Sequence, residues 1–132
     1  MTDEELIEQF EACTLPKEEF NHAAHVRTAW IYLCRYSVLE AIERFSAALK
    51  AYAASLGAAG LYHETVTWGY IFLIHERIAR AAKEQTWEEF AVANKDLFRW
   101  KDGAFMEYYG EGVLSCDIAR RVFVLPANRT NT

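Results

Sequence analysis

Histidine is the side chain most suited to binding or proton transfer near neutral pH, and this chain has four of them. Three stand at the predicted starts of two helices: His22 and His25 open one, and His63 opens another. His22 and His25 are three residues apart, so they share a helix face. The fourth, His75, follows His63 by about 18 Å along a helix and is excluded from the same site.

The helices that must position these histidines are predicted from apolar residues at helical spacing. The two prolines, Pro16 and Pro126, leave a long stretch without that helix breaker. The sequence therefore predicts an all-α, single-domain helical bundle of about six or seven helices over residues 1–132, with residues 128–132 as a frayed tail. The predicted helices cover about residues 3–13, 21–36, 38–56, 62–82, 87–93 and 116–123, with short helical turns over 94–112.

The second, third and fourth helices are long and joined by short connections, which favours antiparallel neighbours. The second and fourth helices would then run in the same direction. Their histidine-bearing starts would lie at one end of the bundle, and polar, titratable residues from separate helices would converge there.

The first interpretation of this cluster is a pocket for a small anionic or carboxylate-bearing ligand. Two helix N-termini aimed at one point supply free N–H donors and partial positive charge. One of the histidines could also act as a general acid or base, so catalysis is left open. The predicted lining residues are His22, His25, His63, Thr67, Trp30 and Tyr62.

Two alternatives compete with this pocket. Three histidines and a carboxylate are an acceptable ligand set for a divalent metal such as zinc, iron or manganese. The metal binder or metal-dependent enzyme would use His22, His25, His63 and Glu64. In the second alternative, the same residues only hold helix ends together in a structural or interaction module, and a homodimer through the aromatic C-terminal region is left open.

Other polar and aromatic groups favour structural roles. Arg77 is expected to form a cross-helix ion pair, Cys34 to be buried, and Ser115 to cap the last helix. The third helix is expected to bury a stripe that includes Leu39 and Leu56. The aromatic run after residue 97 either packs the core or lines a cavity; it comprises Phe98, Trp100, Phe105, Tyr108 and Tyr109.

The composition excludes several classes of protein. With 52% hydrophobic and 14% aromatic residues, the chain is not intrinsically disordered. A net charge of −5 without a Lys/Arg run argues against nucleic-acid and membrane-surface partners. No signal peptide, membrane-spanning stretch or paired cysteine motif is present, so we expect a cytoplasmic protein with free thiols.

Two segments resemble a family of small bacterial all-helical proteins. The segment 20–30 fits the pattern F-x-H-x-x-H-x-x-x-A-W, and the segment 62–67 fits Y-H-x-T-x-T. The resemblance covers most of the chain but implies no activity. It implies that five residues belong to one shared feature, namely His22, His25, His63, Thr65 and Thr67.

Overall fold

The computed structural model describes residues 1–126, and within them the chain is all-α, as predicted. The described helices are α1 (Asp3–Glu11), α2 (His22–Arg35), α3 (Val38–Ser55), α4 (Glu64–Arg80), α5 (Trp87–Ala93), α6 (Glu111–Leu114) and α7 (Asp117–Arg121). Short 3-10 turns lie at Lys17–Glu19, Ala59–Leu61, Lys95–Phe98 and Phe105–Glu107. The predicted frayed tail, 128–132, lies outside the described residues.

The chain divides into two compact units, Met1–Tyr62 and the part from His63 onward. The first unit contains α1 to α3, and the second contains α4 to α7. A single domain and the parallel arrangement of the second and fourth helices stay predictions.

Polar caps set the helix boundaries. Asn21 accepts a hydrogen bond from the Ala24 N–H at the start of α2, and Ser37 accepts one from the Glu40 N–H at the start of α3. Thr86 and Glu89 form a reciprocal capping box at α5. These caps confirm the predicted start points, because each satisfies a backbone donor that the helix leaves unpaired.

Phe10 of α1 is the centre of the first unit. Its ring stacks on Phe20 and Phe45 at centroid distances of 5.2 and 5.7 Å. Tyr52 lies 5.5 Å from Phe10 and donates its hydroxyl proton to the Leu15 carbonyl, 2.9 Å away. Aromatic packing therefore joins α1 to α3 and to the turn before α2, and the Tyr52 hydroxyl is hydrogen-bonded to the loop that follows α1.

Phe105 is the corresponding centre of the second unit. Its ring stacks on Tyr70 at 4.7 Å, on Tyr109 at 5.0 Å and on Trp100 at 5.8 Å. Helix α4 contacts both α7 and the 3-10 turn that carries Phe105. α4 is buried along much of its length, but Phe72 on one face is 38% exposed.

Three details of the sequence prediction are wrong. Leu39 and Leu56 are exposed, because the buried positions of α3 run only from Ala41 to Tyr52. Cys34 is exposed on the last turn of α2. Ser115 does not cap α7: the cap residue is Cys116, and the Ser115 hydroxyl donates back to the Gly112 carbonyl.

All three cysteines are free thiols. In the part of the chain that the structure describes, no helix combines the length and apolar composition needed to cross a membrane.

The predicted ion pair of Arg77 is present. Its two terminal nitrogens donate to the two carboxylate oxygens of Asp96 at 3.0 and 2.8 Å, and one also donates to Asn94 Oδ1 at 2.9 Å. The Arg77 guanidinium lowers the pKa of Asp96. The planar Arg77 guanidinium binds the Asp96 carboxylate through two parallel hydrogen bonds, and this pair holds the loop after α5 against α4.

We expect Arg77→Ala to lower the free energy of unfolding by about 1–3 kcal/mol, because Asn94 and Asp96 lose a partly buried donor. Arg80→Ala is the matched control. It removes an exposed i,i+4 pair with Glu76 and should cost less than about 0.5 kcal/mol. Urea unfolding of both variants measures the difference, and equal costs would contradict the assigned role of Arg77.

Candidate functional site

His63 is the N-cap of α4, and both nitrogens of its ring are hydrogen-bonded. Nδ1 accepts from the Val66 N–H at 3.2 Å, and Nε2 lies 2.7 Å from the Leu114 carbonyl oxygen. A backbone N–H can only donate, so Nδ1 carries no proton and Nε2 is the donor to Leu114. In this arrangement the imidazole is neutral and joins the start of α4 to α6.

The two threonines that follow are also engaged. Thr67 donates its hydroxyl proton to the His63 carbonyl, one turn back. Thr65 is fully buried, donates to the Val122 carbonyl at 2.9 Å and accepts from the Val124 N–H at 3.1 Å. The Thr65 hydroxyl therefore anchors the extended segment 122–126 beside α4.

In the first unit, His22 and His25 lie on the first turn of α2. The His25 ring stacks on Phe45 at 5.5 Å and lies 5.4 Å from Phe20. Burial, together with the nearby His22, lowers the pKa of His25 to about 4. His25 is therefore an uncharged ring in an aromatic cluster at neutral pH.

The remaining predicted site residues are divided between the two units. Trp30 is buried on α2, and Tyr62 has the ammonium of Lys50 5.1 Å above its ring. Glu64 is the first residue of α4, next to His63. Within residues 1–126, no three His, Cys, Asp or Glu side chains are arranged to hold a metal ion. The shared histidine site stays a prediction.

The second unit contains a groove of about 360 Å³ along one face of α4. We call it the α4 groove. Its lining consists of Gly69, Phe72, Leu73, Glu76, Phe105, Tyr108, Tyr109, Phe123, Leu125 and Pro126. The first four follow helical i, i+3, i+4, i+7 spacing, so they form a single stripe on α4.

Gly69 and Phe105 form the floor of the α4 groove. A Cβ atom at position 69 would lie 2.5 Å from Cε1 of Phe105, closer than carbon atoms can pack. Phe105 is itself held between Tyr70 and Tyr109. Glycine at position 69 is therefore required for this close approach between helix and ring.

The segment 122–126 forms the opposite wall. Besides its two bonds to Thr65, it accepts a hydrogen bond from the Tyr109 hydroxyl at the Val124 carbonyl, 2.8 Å away. Phe123 stacks on Trp68 at 5.6 Å and lies 5.8 Å from Phe72. These contacts direct Phe123 toward α4 and fix the width of the groove.

The electrostatics of the α4 groove are simple. Among the described lining residues, Glu76 is the only acidic or basic one besides the tyrosines. Burial raises the pKa of Tyr109, so its hydroxyl stays protonated at neutral pH. An aromatic, mostly uncharged groove with a single carboxylate favours a largely apolar ligand.

Sequence reasoning found part of this groove. Phe105, Tyr108 and Tyr109 belong to the aromatic run that was predicted either to pack the core or to line a cavity. Phe72 and the wall residues of 123–126 were not predicted as lining residues. No cavity was predicted at Gly69 and Glu76. Their spacing with Phe72 and Leu73 was the available signal for a stripe on one helix face.

A second cavity, of about 390 Å³, lies beside the loop that precedes the turn of Phe105. Its lining carries charges of both signs and consists of Trp100, Lys101, Asp102, Gly103, Met106 and Glu107. It shows no convergent set of donors or acceptors and is less suited to a ligand than the α4 groove.

Comparison of the chain with protein-family models, with curated proteins and with solved structures finds no match.

We expect the free energy of unfolding to fall as the pH is lowered from about 6.5 to about 4. The folded-state pKa of His25 is depressed, so the unfolded chain takes up its proton first. The stability that the folded chain gains by keeping His25 uncharged is fully present above pH 6.5. Its loss between about pH 6.5 and pH 4 amounts to on the order of 3 kcal/mol. Denaturant unfolding at several pH values measures this slope, which His25→Phe should reduce. His75→Phe, at an exposed position of α4, should leave the slope unchanged.

We expect Thr65→Val to speed hydrogen exchange at the Val124 amide and to cost about 1–3 kcal/mol. It leaves the Val122 carbonyl and the Val124 N–H without their partner. Thr67→Val is the matched control, since it removes only a local bond within α4. NMR-detected exchange measures Val124 directly. Unchanged protection in Thr65→Val would show that Thr65 does not hold the wall.

Proposed function

We propose that this protein binds a small, largely apolar molecule in the α4 groove. The observation that carries the proposal is a cavity of about 360 Å³ whose ten lining residues include a single carboxylate and no basic side chain. Its volume falls in the range of small-molecule sites, at the lower end. Five of the lining side chains are aromatic, which favours a ligand with a flat ring.

The histidines support a pocket for an anionic ligand less well than the sequence suggested. Neutral His63 uses both ring nitrogens within its own unit, and neutral His25 lies among aromatic rings. An uncharged His25 does not supply the positive charge that attracts an anion. The anionic ligand, the metal site, catalysis and the homodimer stay predictions.

Access to the groove is open on one side. Phe72 and Tyr108 are partly exposed, and Leu125 is 76% exposed. A ligand would cover these side chains and remove their apolar surface from water, which is the main source of affinity in such sites. The buried Phe105 provides a floor that is already packed before a ligand arrives.

We expect indole, used as a neutral aromatic probe, to bind the wild type with a dissociation constant in the high micromolar to millimolar range. A molecule with so few atoms makes too few contacts for tighter binding. NMR titration should shift the amides of Gly69 and Phe123. Gly69→Ala should weaken binding at least about tenfold, because the new methyl group forces Phe105 to move.

Two further variants keep this test informative. Gly112→Ala is the control, since a Cβ there meets nothing within 4 Å, and it should bind indole normally. Leu125→Ala truncates an exposed wall residue with little effect on folding and should weaken binding severalfold. Shifts that avoid the α4 groove, or equal binding by all variants, would contradict the proposed site.

A further inference from the structure

We infer that the ligand of the α4 groove is a cation: an amine with an aromatic or aliphatic body, its ammonium group placed at Glu76. This inference rests on the proposed function and adds the charge and orientation of the ligand. It assigns Glu76 as the residue that determines specificity.

The stripe on α4 gives the groove two chemically different ends. Gly69 and Glu76 are seven residues apart, which corresponds to about 10 Å along the helix. Phe105 closes the end near Gly69, where only an apolar group fits. Glu76 is exposed at the other end, one turn beyond Phe72. A ligand that matches both ends is apolar at one end and polar at the other.

The sign of the polar end follows from the charges around Glu76. Its Oε2 accepts a hydrogen bond from Nε of Arg80 at 2.7 Å, but Arg80 is an exposed side chain that does not line the groove. Arg77 is directed toward Asp96 and Asn94. Among the described residues, the lining presents only this carboxylate at that end, so it favours a cationic ligand that displaces Arg80 from Glu76.

The aromatic lining acts in the same direction. The faces of Phe72 and Tyr108 carry the negative quadrupole of aromatic rings and attract ammonium groups. Among residues 1–126, no basic side chain lines the groove to balance an anionic ligand. A carboxylate and several aromatic rings together form a recognition site for an amine.

The test compares three indole derivatives of nearly the same shape at pH 7: tryptamine (a cation), 3-ethylindole (neutral) and indole-3-propionate (an anion). Their affinities are measured by the NMR titration of the Gly69 and Phe123 amides. We expect tryptamine to bind about three- to tenfold more tightly than 3-ethylindole, as for an exposed charge pair aided by aromatic faces. Indole-3-propionate should bind most weakly.

Glu76→Gln should remove the advantage of tryptamine and leave the affinity for 3-ethylindole unchanged. Glu88→Gln removes the same charge from α5, outside the groove, and should preserve the wild-type order. Arg80→Ala should strengthen tryptamine binding, since it removes the cation that competes for Glu76.

The outcomes separate this inference from the proposed function. If 3-ethylindole binds and tryptamine binds no more tightly, the inference of a cationic ligand is wrong, but the proposed site for an apolar ligand is supported. If indole-3-propionate binds best, the ligand is an anion and the inference is overturned. If none of the three probes shifts the groove amides, the proposed function itself fails.

Discussion

The contact between Gly69 and Phe105 is the constraint on which the second unit depends. Because position 69 has no side chain, the Phe105 ring lies directly against α4. Tyr70 and Tyr109 stack on that ring, and Tyr109 then reaches the Val124 carbonyl through its hydroxyl. The absence of a side chain at Gly69 therefore determines where Phe105, the floor of the α4 groove, lies. Through Tyr109, it also determines where the wall formed by the segment 122–126 begins.

Several polar side chains of the second unit connect its helices to other helices and loops of the same unit. His63 caps α4 and bonds to Leu114, Thr65 bonds twice to the segment 122–126, and Arg77 holds Asp96. These groups are partly or fully buried, where an unpaired donor or acceptor is costly. Residue types that often perform chemistry are used here to satisfy backbone groups at helix ends and in the segment 122–126, or to pair with other side chains.

The sequence predicted the helices well because their signals are local. Asn21, Ser37 and Thr86 act within three residues of themselves, and apolar spacing within a helix reports its buried face. The predicted histidine site required contacts between residues tens of positions apart, and a sequence pattern does not encode their partners. His63 illustrates the limit: its spacing suggested a ligand, but its Nε2 partner is 51 residues away. Leu39 shows the same limit at a helix end, since its exposure depends on what covers α3.

The bonds of Thr65 also constrain the order of folding in the second unit. Thr65 and Val124 are 59 residues apart in the chain, so joining them closes a long loop at a considerable cost in entropy. Local structure, such as α4 and α5, can form before that closure, whereas the α4 groove cannot. We therefore expect the groove to form late in folding. A ligand bound in the α4 groove would contact two distant parts of the chain, α4 and the segment 122–126, and would slow their separation.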